Sequence, residues 1–338
     1  MGKLILLMAL VGLTVSQGYG QNASSAFIHA GLNKARMKNY KEAIKCYSIA
    51  IEYDSSKSNA YIDRGVAEAA LDDFQKAIKD YSRAIHLHPS DAVAYYDRGM
   101  AYNALGQYLL ALDDYNKTIS LRPKYPAALL NRGILRKERK DFAAAIQDYT
   151  DALRWKPNYP AAYFNRGNAK ADLRDWQGAI RDYDTAIKLN KRLERAYVSR
   201  GTAKVYLEDL NGASTDYYAA FKLNPKDPSI FYNEGLLASK LNKRNESIRY
   251  FTSAIQLRPD YAKAYYGRGC QYYLQQRFES ALADLSRAIE LSPKDGKAYW
   301  YRGDIKRILH LENPCADFRK SAELGTPEAD NTIKLYCN

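Results

Sequence analysis

Four cysteines, four histidines and three tryptophans among 338 residues leave little from which to build a metal or redox centre. No two cysteines have zinc-site spacing. His86 and His88, two apart at one helix end, point in different directions. A glycine-rich phosphate loop and a nucleophile elbow are both missing. These absences exclude the common enzyme classes, so no catalytic residue, cofactor or metal is expected. Long apolar runs are equally scarce. Residues 4–15 form the only one, shorter than the ~20 residues that span a bilayer. It follows Lys3 and precedes small and polar residues ending Gly18-Tyr19-Gly20. That pattern predicts a secretion signal over residues 1–20, cleaved before Gln21, with an uncleaved anchor or a buried first helix as the alternatives. The chain is then exported, periplasmic or secreted, with no transmembrane segment once the signal is removed.

What the sequence has in abundance is repetition. Glycine recurs at Gly31, Gly65, Gly99, Gly133, Gly167, Gly201, Gly235, Gly269 and Gly303, always 34 residues apart. Four places earlier comes an aromatic residue or Leu, from Phe27 and Tyr61 through Leu129 to Tyr299. Twelve places after the Gly comes Ala or Ser, and sixteen places after it another large ring or Leu, as at Ala145 and Tyr149. Proline closes most units, at Pro89, Pro123, Pro157, Pro225, Pro259 and Pro293; Ser55 and Lys191 stand in its place in the first and fifth. Within each unit the apolar positions keep helical spacing over two segments, separated by a turn such as Leu105-Gly106-Gln107. Small residues let the two helices approach, rings fill the space beside them, and proline ends the second. One such pair cannot bury its own apolar face, so the pairs must stack.

The aromatic, Gly, Ala, aromatic and Pro positions resemble the tetratricopeptide repeat. A signal followed by Gln further resembles exported tetratricopeptide-repeat proteins of Bacteroidota-type bacteria. The resemblance covers residues 24–325 and implies an all-α fold: a right-handed superhelical solenoid of nine antiparallel helix pairs, whose first helices line a groove. Residues 326–338 are expected to form a C-terminal capping helix. In the ninth repeat Asp317-Phe318 come one residue early, which predicts a shortened internal turn. The pentatricopeptide pattern, usually of 35 residues, does not match.

One further regularity is ionic. Arginine precedes the repeat glycine at Arg64, Arg98, Arg132, Arg166, Arg200, Arg268 and Arg302. Aspartate precedes the second-helix ring at Asp80, Asp114, Asp148, Asp182, Asp216 and Asp284, with Asp317 displaced by one. The exceptions coincide: Ala30 with Cys46 in the first repeat, Glu234 with Tyr250 in the seventh. Residues present or absent together within a unit predict structural ion pairs between its two helices. The other reading is an arginine ladder facing an anionic ligand.

The resemblance also places a ligand. Two places before each glycine stands a mostly short polar residue, here His29, Asp63, Asp97, Asn131, Asn165, Ser199 and Asn233. In the family this position faces the groove, and the partial asparagine ladder is similar to that of O-GlcNAc transferase repeats, where amides hold a peptide backbone. Tyr96, Phe164 and Tyr232, with Tyr266 and Trp300, are neighbouring aromatic candidates; solenoid core is their simpler reading. The family's carboxylate clamp is absent, because Ile62, Tyr96, Leu130 and Phe164 occupy the places where it needs lysine. The partner implied is a protein or extended peptide. A net charge of +13, with basic clusters at 34–38, 136–140 and 243–244, leaves two alternatives open: an anionic envelope ligand such as acidic glycan or lipopolysaccharide, and a self-assembling scaffold. Nucleic acid is not expected. Finally, Asn313-Pro314 reads as the cap and start of a helix that ends near Gly325, and Thr326-Pro327 starts another. Two antiparallel helices would bring Cys315 and Cys337 to one end as a disulfide.

Overall fold

The computed structural model describes residues 22–337, and the signal expected over residues 1–20 lies outside them. Every regular element among the described residues is an α-helix, none long and apolar enough to cross a membrane. The chain divides into two units. The first runs to Ala169 and contains α1 (22–36), α2 (Tyr40–Tyr53), α3 (Ser58–Ala69), α4 (Phe74–Leu87), α5 (Ala92–Ala104), α6 (Tyr108–Leu121), α7 (Pro126–Glu138), α8 (Phe142–Trp155) and most of α9 (Pro160–Asp172). The second starts at Lys170 and contains α10 (Trp176–Leu189), α11 (Glu194–Tyr206), α12 (Leu210–Leu223), α13 (Pro228–Lys240), α14 (Arg244–Leu257), α15 (Ala262–Leu274), α16 (Phe278–Leu291), α17 (Gly296–Ile308), α18 (Pro314–Glu323) and α19 (Pro327–Tyr336). Up to α18, odd-numbered helices are the first of each pair and even-numbered helices the second. Within each unit consecutive helices pack on one another.

Short-range chemistry sets the helix boundaries. Asp73, Asp141, Asp175 and Asp209 each accept from a backbone N–H in the first turn of a second helix. Asp91, Asp227 and Asp295 do the same for first helices. Between the two helices of every repeat the chain turns through a residue at positive φ: Lys38, Asp72, Gly106, Lys140, Arg174, Glu208, Asn242, Gln276 and His310, nine in all, with Asn313 a second one in the ninth repeat. Only one of these nine is glycine. The closing prolines are dispensable for stopping the second helix, since α2 and α10 end at the same place in their repeats with Ser55 and Lys191 where proline would be.

The packing is steric at its centre. Tyr47, Tyr81, Tyr115 and Tyr149 in the first unit, and Tyr217 and Phe251 in the second, are almost wholly buried. Each ring lies on the glycine of its own repeat. A Cβ on Gly133 would stand 2.6 Å from Cε1 of Tyr149, far inside contact distance.

The far end differs from expectation in two ways. The ninth turn is longer, not shorter: residues 309–313 separate α17 from α18, where three or four residues suffice elsewhere. Pro314 has no N–H to donate and sits at the first helical position, so α18 starts late and is only ten residues long. Asn313 is in the left-handed region (φ 61°) and makes no side-chain cap. The sulfurs of Cys315 and Cys337 are bonded, with Cα atoms 5.6 Å apart.

Candidate functional site

The arginines of the ladder are structural ties rather than an exposed row. Arg132 donates from Nε and Nη2 to the two carboxylate oxygens of Asp148, at 3.0 and 2.6 Å, and from Nη1 to Asn116 of the preceding second helix at 2.9 Å. The same three-way fork ties Arg64 to Asp80 and Ser48, Arg98 to Asp114 and Ser82, and Arg268 to Asp284 and Thr252. Arg200 binds Asp216 and Asp184, and Arg302 binds Asp317. Arg166 donates to Thr150, and Lys170 engages Asp182 at 2.7 Å. The acceptors sixteen residues before the arginine have no counterpart in the sequence reading. The basic run at 136–140 is not wholly solvated either, since Arg136 makes a second ion pair to buried Asp148 at 2.9 Å. The guanidiniums face carboxylates inside the stack, which leaves no free arginine row for an anion.

The residues two before each glycine share another environment. Asp63, Asp97, Asn131, Asn165, Ser199 and Asn233 are all half-buried on first helices. Several stand beside the core tyrosine of the preceding repeat. Asn131 meets the Tyr115 hydroxyl and donates to Tyr96 Oη at 3.1 Å, and Ser199 meets Tyr183. Asn165 and Asn233 instead turn Nδ2 back to the carbonyls of Ala161 and Ser229, both at 2.8 Å. Each thereby spends one N–H on its own helix and keeps a carbonyl oxygen and a second N–H. Asp63 and Asp97 have no cationic partner among the described residues, and burial raises both; Asp97 is pushed up to about 6.

Two of the aromatic candidates sit at the centre of clusters. Tyr96 packs on Tyr125 with ring centroids 4.9 Å apart and on Tyr115 at 6.0 Å. In the second unit Tyr232 packs on Tyr261 at 5.2 Å and on Phe251 at 5.9 Å, the equivalent residues four repeats later. Phe164 is half-buried on α9. Tyr266 and Trp300 line a cavity of about 200 Å³ with Lys297, Tyr301, Thr326 and Glu328, and Trp300 is tied to Thr332 of α19 at 3.0 Å.

Tyr125, Tyr159 and Tyr261 are the residues that sequence reasoning missed. They take the place of the aspartate caps Asp91, Asp227 and Asp295 just before a first helix. The signal was available: Arg122-Pro-Lys-Tyr125, Lys156-Pro-Asn-Tyr159 and Arg258-Pro-Asp-Tyr261 share a cation, a proline and a tyrosine at fixed spacing. In each, the cation lies over the tyrosine ring, at 5.6, 4.2 and 4.7 Å. Arg122, Lys124, Tyr125, Lys156 and Tyr159 border a cavity of about 290 Å³.

Known proteins agree with this architecture. Sequence models of the tetratricopeptide repeat match residues 92–125, 126–159, 160–193, 228–261 and 262–295, and a TPR repeat model matches 65–106, together more than half of the chain. No curated protein sequence matches. Among solved structures, the chain is similar to one in the APC/C hetero-tetramer Cut9-Hcn1, at 16% identity and TM-score 0.60 over 92% of this chain and 75% of that one. It is similar to yeast Tom70 at 14% identity and TM-score 0.53, over 92% and 95%. A tetratricopeptide repeat protein from Parabacteroides merdae matches at 21% identity and TM-score 0.52, over 84% and 100%. Identities this low establish the fold alone.

Proposed function

The chain belongs to the tetratricopeptide-repeat proteins, whose fold mediates protein–protein interaction, and from that premise we propose that it is an exported adaptor holding a protein or extended peptide against its first helices. One observation carries the reading: in each unit, half-buried amides and clustered rings share the first helices and the turns that lead into them. Asn165 and Asn233 each offer a carbonyl oxygen and an N–H, the pair that a peptide bond requires. The Tyr96–Tyr125 and Tyr232–Tyr261 clusters supply apolar anchors. Asp63 and Asp97 make the same face repellent to an anion, although the chain as a whole is strongly basic. Export rests on residues 1–20 and is supported by the Cys315–Cys337 bond, which suits an oxidising compartment.

A second reading has an observation of its own. The cavity bordered by Arg122, Lys124 and Lys156 has three cations and no carboxylate in its lining and would suit an acidic glycan or lipopolysaccharide. Capture from envelope extract separates the two, using the full chain beside an Asn165→Ala/Asn233→Ala variant, each first shown to be folded. A protein retained by the parent through a several-fold rise in ionic strength, and lost by the variant, supports the peptide face. Capture that is indifferent to the variant and collapses with salt moves the function to the basic hollow.

A further inference from the structure

The seventh repeat is missing its cation. In six other repeats the ring three residues before the arginine lies beneath its guanidinium; Tyr61, Tyr95, Tyr163, Tyr197, Tyr265 and Tyr299 do so at 5.3–5.7 Å. In the seventh repeat the equivalent ring is Phe231, and a carboxylate, Glu234, replaces the arginine. The two residues that would have held the arginine are also changed. Tyr250 replaces the aspartate sixteen residues later, and Tyr218 replaces the small polar residue sixteen residues earlier. The space so vacated is a cavity of about 210 Å³ lined by Tyr218, Phe221, Ile230, Phe231, Glu234 and Tyr250. A cavity of ~150 Å³ holds benzene, so there is room for a compact organic head group. Phe221 and Phe231 meet edge to face with centroids 5.9 Å apart. Glu234 has no hydrogen bond or ion pair among the described residues, and burial pushes its carboxyl up to about 7. A visiting cation would relieve that cost.

We propose that this cavity, between α12, α13 and α14, binds a quaternary ammonium group, with Tyr218, Phe221, Phe231 and Tyr250 as ring walls and Glu234 as the counter-charge. Ring faces attract such cations, and a low-dielectric wall strengthens the attraction to the carboxylate. The local chemistry selects against the alternatives. In neighbouring repeats the guanidinium donors are met by two carboxylate oxygens and a third acceptor, such as Thr252 beside Arg268. Here one carboxylate stands among four ring walls and Ile230, so most of a bound cation's surface meets carbon, which costs a cation bearing N–H groups more lost hydration than one clothed in methyl groups. A quaternary ammonium has no N–H to satisfy. Tyr218 already carries one ammonium, from Lys222 at 4.5 Å, which shows that its ring face suits a cation and which a ligand must share or displace. The site is separate from the peptide face and does not depend on it.

Titration calorimetry on the full chain tests the proposal with choline, tetramethylammonium, the neutral choline isostere 3,3-dimethylbutan-1-ol, and ethylguanidinium. The expected result is one site per chain, at which choline and tetramethylammonium bind about tenfold or more tighter than the neutral isostere. Glu234→Gln keeps the shape and is expected to lose about tenfold. The double variant Glu234→Arg/Tyr250→Asp restores the pair found in neighbouring repeats; it is expected to stay folded by circular dichroism and to bind nothing. Equal binding of choline and its neutral isostere overturns the proposal. So does unchanged binding by Glu234→Gln, or a preference for ethylguanidinium.

Discussion

The fourth and seventh repeats share a backbone plan and differ in what fills the space between their helices. In the fourth, Asp148 is 1% exposed and receives Arg132 and Arg136, while Arg132 also reaches Asn116. In the seventh, Tyr218, Glu234 and Tyr250 stand at the equivalent places and leave a cavity. Yet the ring-on-glycine contact is the same in both. A Cβ on Gly235 would stand 2.6 Å from Phe251, as one on Gly133 would from Tyr149. Ser247, in the place of the usual alanine, even adds a bond to the Gly235 carbonyl at 2.8 Å. The steric code that builds a helix pair is therefore separable from the ionic code that closes it, and a repeat can lose the second while keeping the first.

Breaking the closed repeat should have the largest effect. Asp148→Ala leaves two guanidiniums in a half-buried site without a carboxylate. Loss of one partner of a buried pair costs about 3–5 kcal/mol. Urea unfolding should show a loss near the lower end of that range, because Arg132 and Arg136 keep some solvent contact. Replacing Glu234 by Ala, where no pair exists, should cost less than about 1 kcal/mol. Equal losses in the two repeats would mean that the ion pair contributes nothing beyond side-chain packing.

The steric code predicts the opposite pattern, equality. Gly133→Ala and Gly235→Ala each drive a methyl group into a buried ring, and such overpacking costs about 1–3 kcal/mol. The two losses should agree within experimental error. A much smaller loss in the seventh repeat would show that its cavity lets Phe251 move aside, so that the two codes are coupled after all.

These contacts were unequally legible in the sequence. The helix pairs were plain because a fixed period constrains nine glycines and their rings at once. The Arg–Asp pairing was legible because its exceptions fall in the same units. Less could be read where a residue's role depends on space rather than type. Glu234 and Tyr250 were visible as a missing pair, but the volume they vacate belongs to Phe221 and Ile230 as well. Asn165 and Asn233 resemble a peptide ladder, whereas whether an amide turns toward its own helix or a neighbouring tyrosine depends on side-chain rotation that spacing does not encode. Tyr125, Tyr159 and Tyr261 were less legible because a cation, a proline and a ring also make an ordinary solvated turn, and only the folded path of the loop sets the cation over the ring.

Acidity sharpens the comparison further. Burial raises the Glu234 carboxyl from 4.5 to about 7, so its ionisation disfavours the folded state. Below pH ~4.5 the group is protonated folded or unfolded and contributes nothing. Stability is then lost as pH rises from ~4.5 to ~7, and the loss is complete above that. Glu234→Gln should thus raise stability at pH 8 by about 1 kcal/mol, after allowance for partial solvent access, and leave it nearly unchanged at pH 4. Comparing parent and variant at each pH cancels the other carboxyls, including Glu68, which burial also raises to about 7. A gain that is the same at both pH values would assign the effect to packing.

The smallest effect belongs to a feature that closed and open repeats share, the left-handed residue between their helices. Lys140 holds φ 64° in the fourth repeat and Asn242 φ 57° in the seventh. A side chain in that region costs about 1–2 kcal/mol, less for Asn, whose short polar side chain bonds locally. Glycine removes the strain but gives up about 0.5–1 kcal/mol of that gain to the greater freedom of the unfolded chain. Lys140→Gly should therefore stabilise by roughly 0.5–1 kcal/mol and Asn242→Gly by a few tenths at most. The converse change, Gly106→Ala, meets no neighbouring atom within 4 Å and should cost about 1 kcal/mol from backbone strain alone. Because the turn lies outside both codes, the Lys140→Gly gain should survive unchanged in an Asp148→Ala background. A gain that vanishes there would show that the turn and the ion pair report on one cooperative unit.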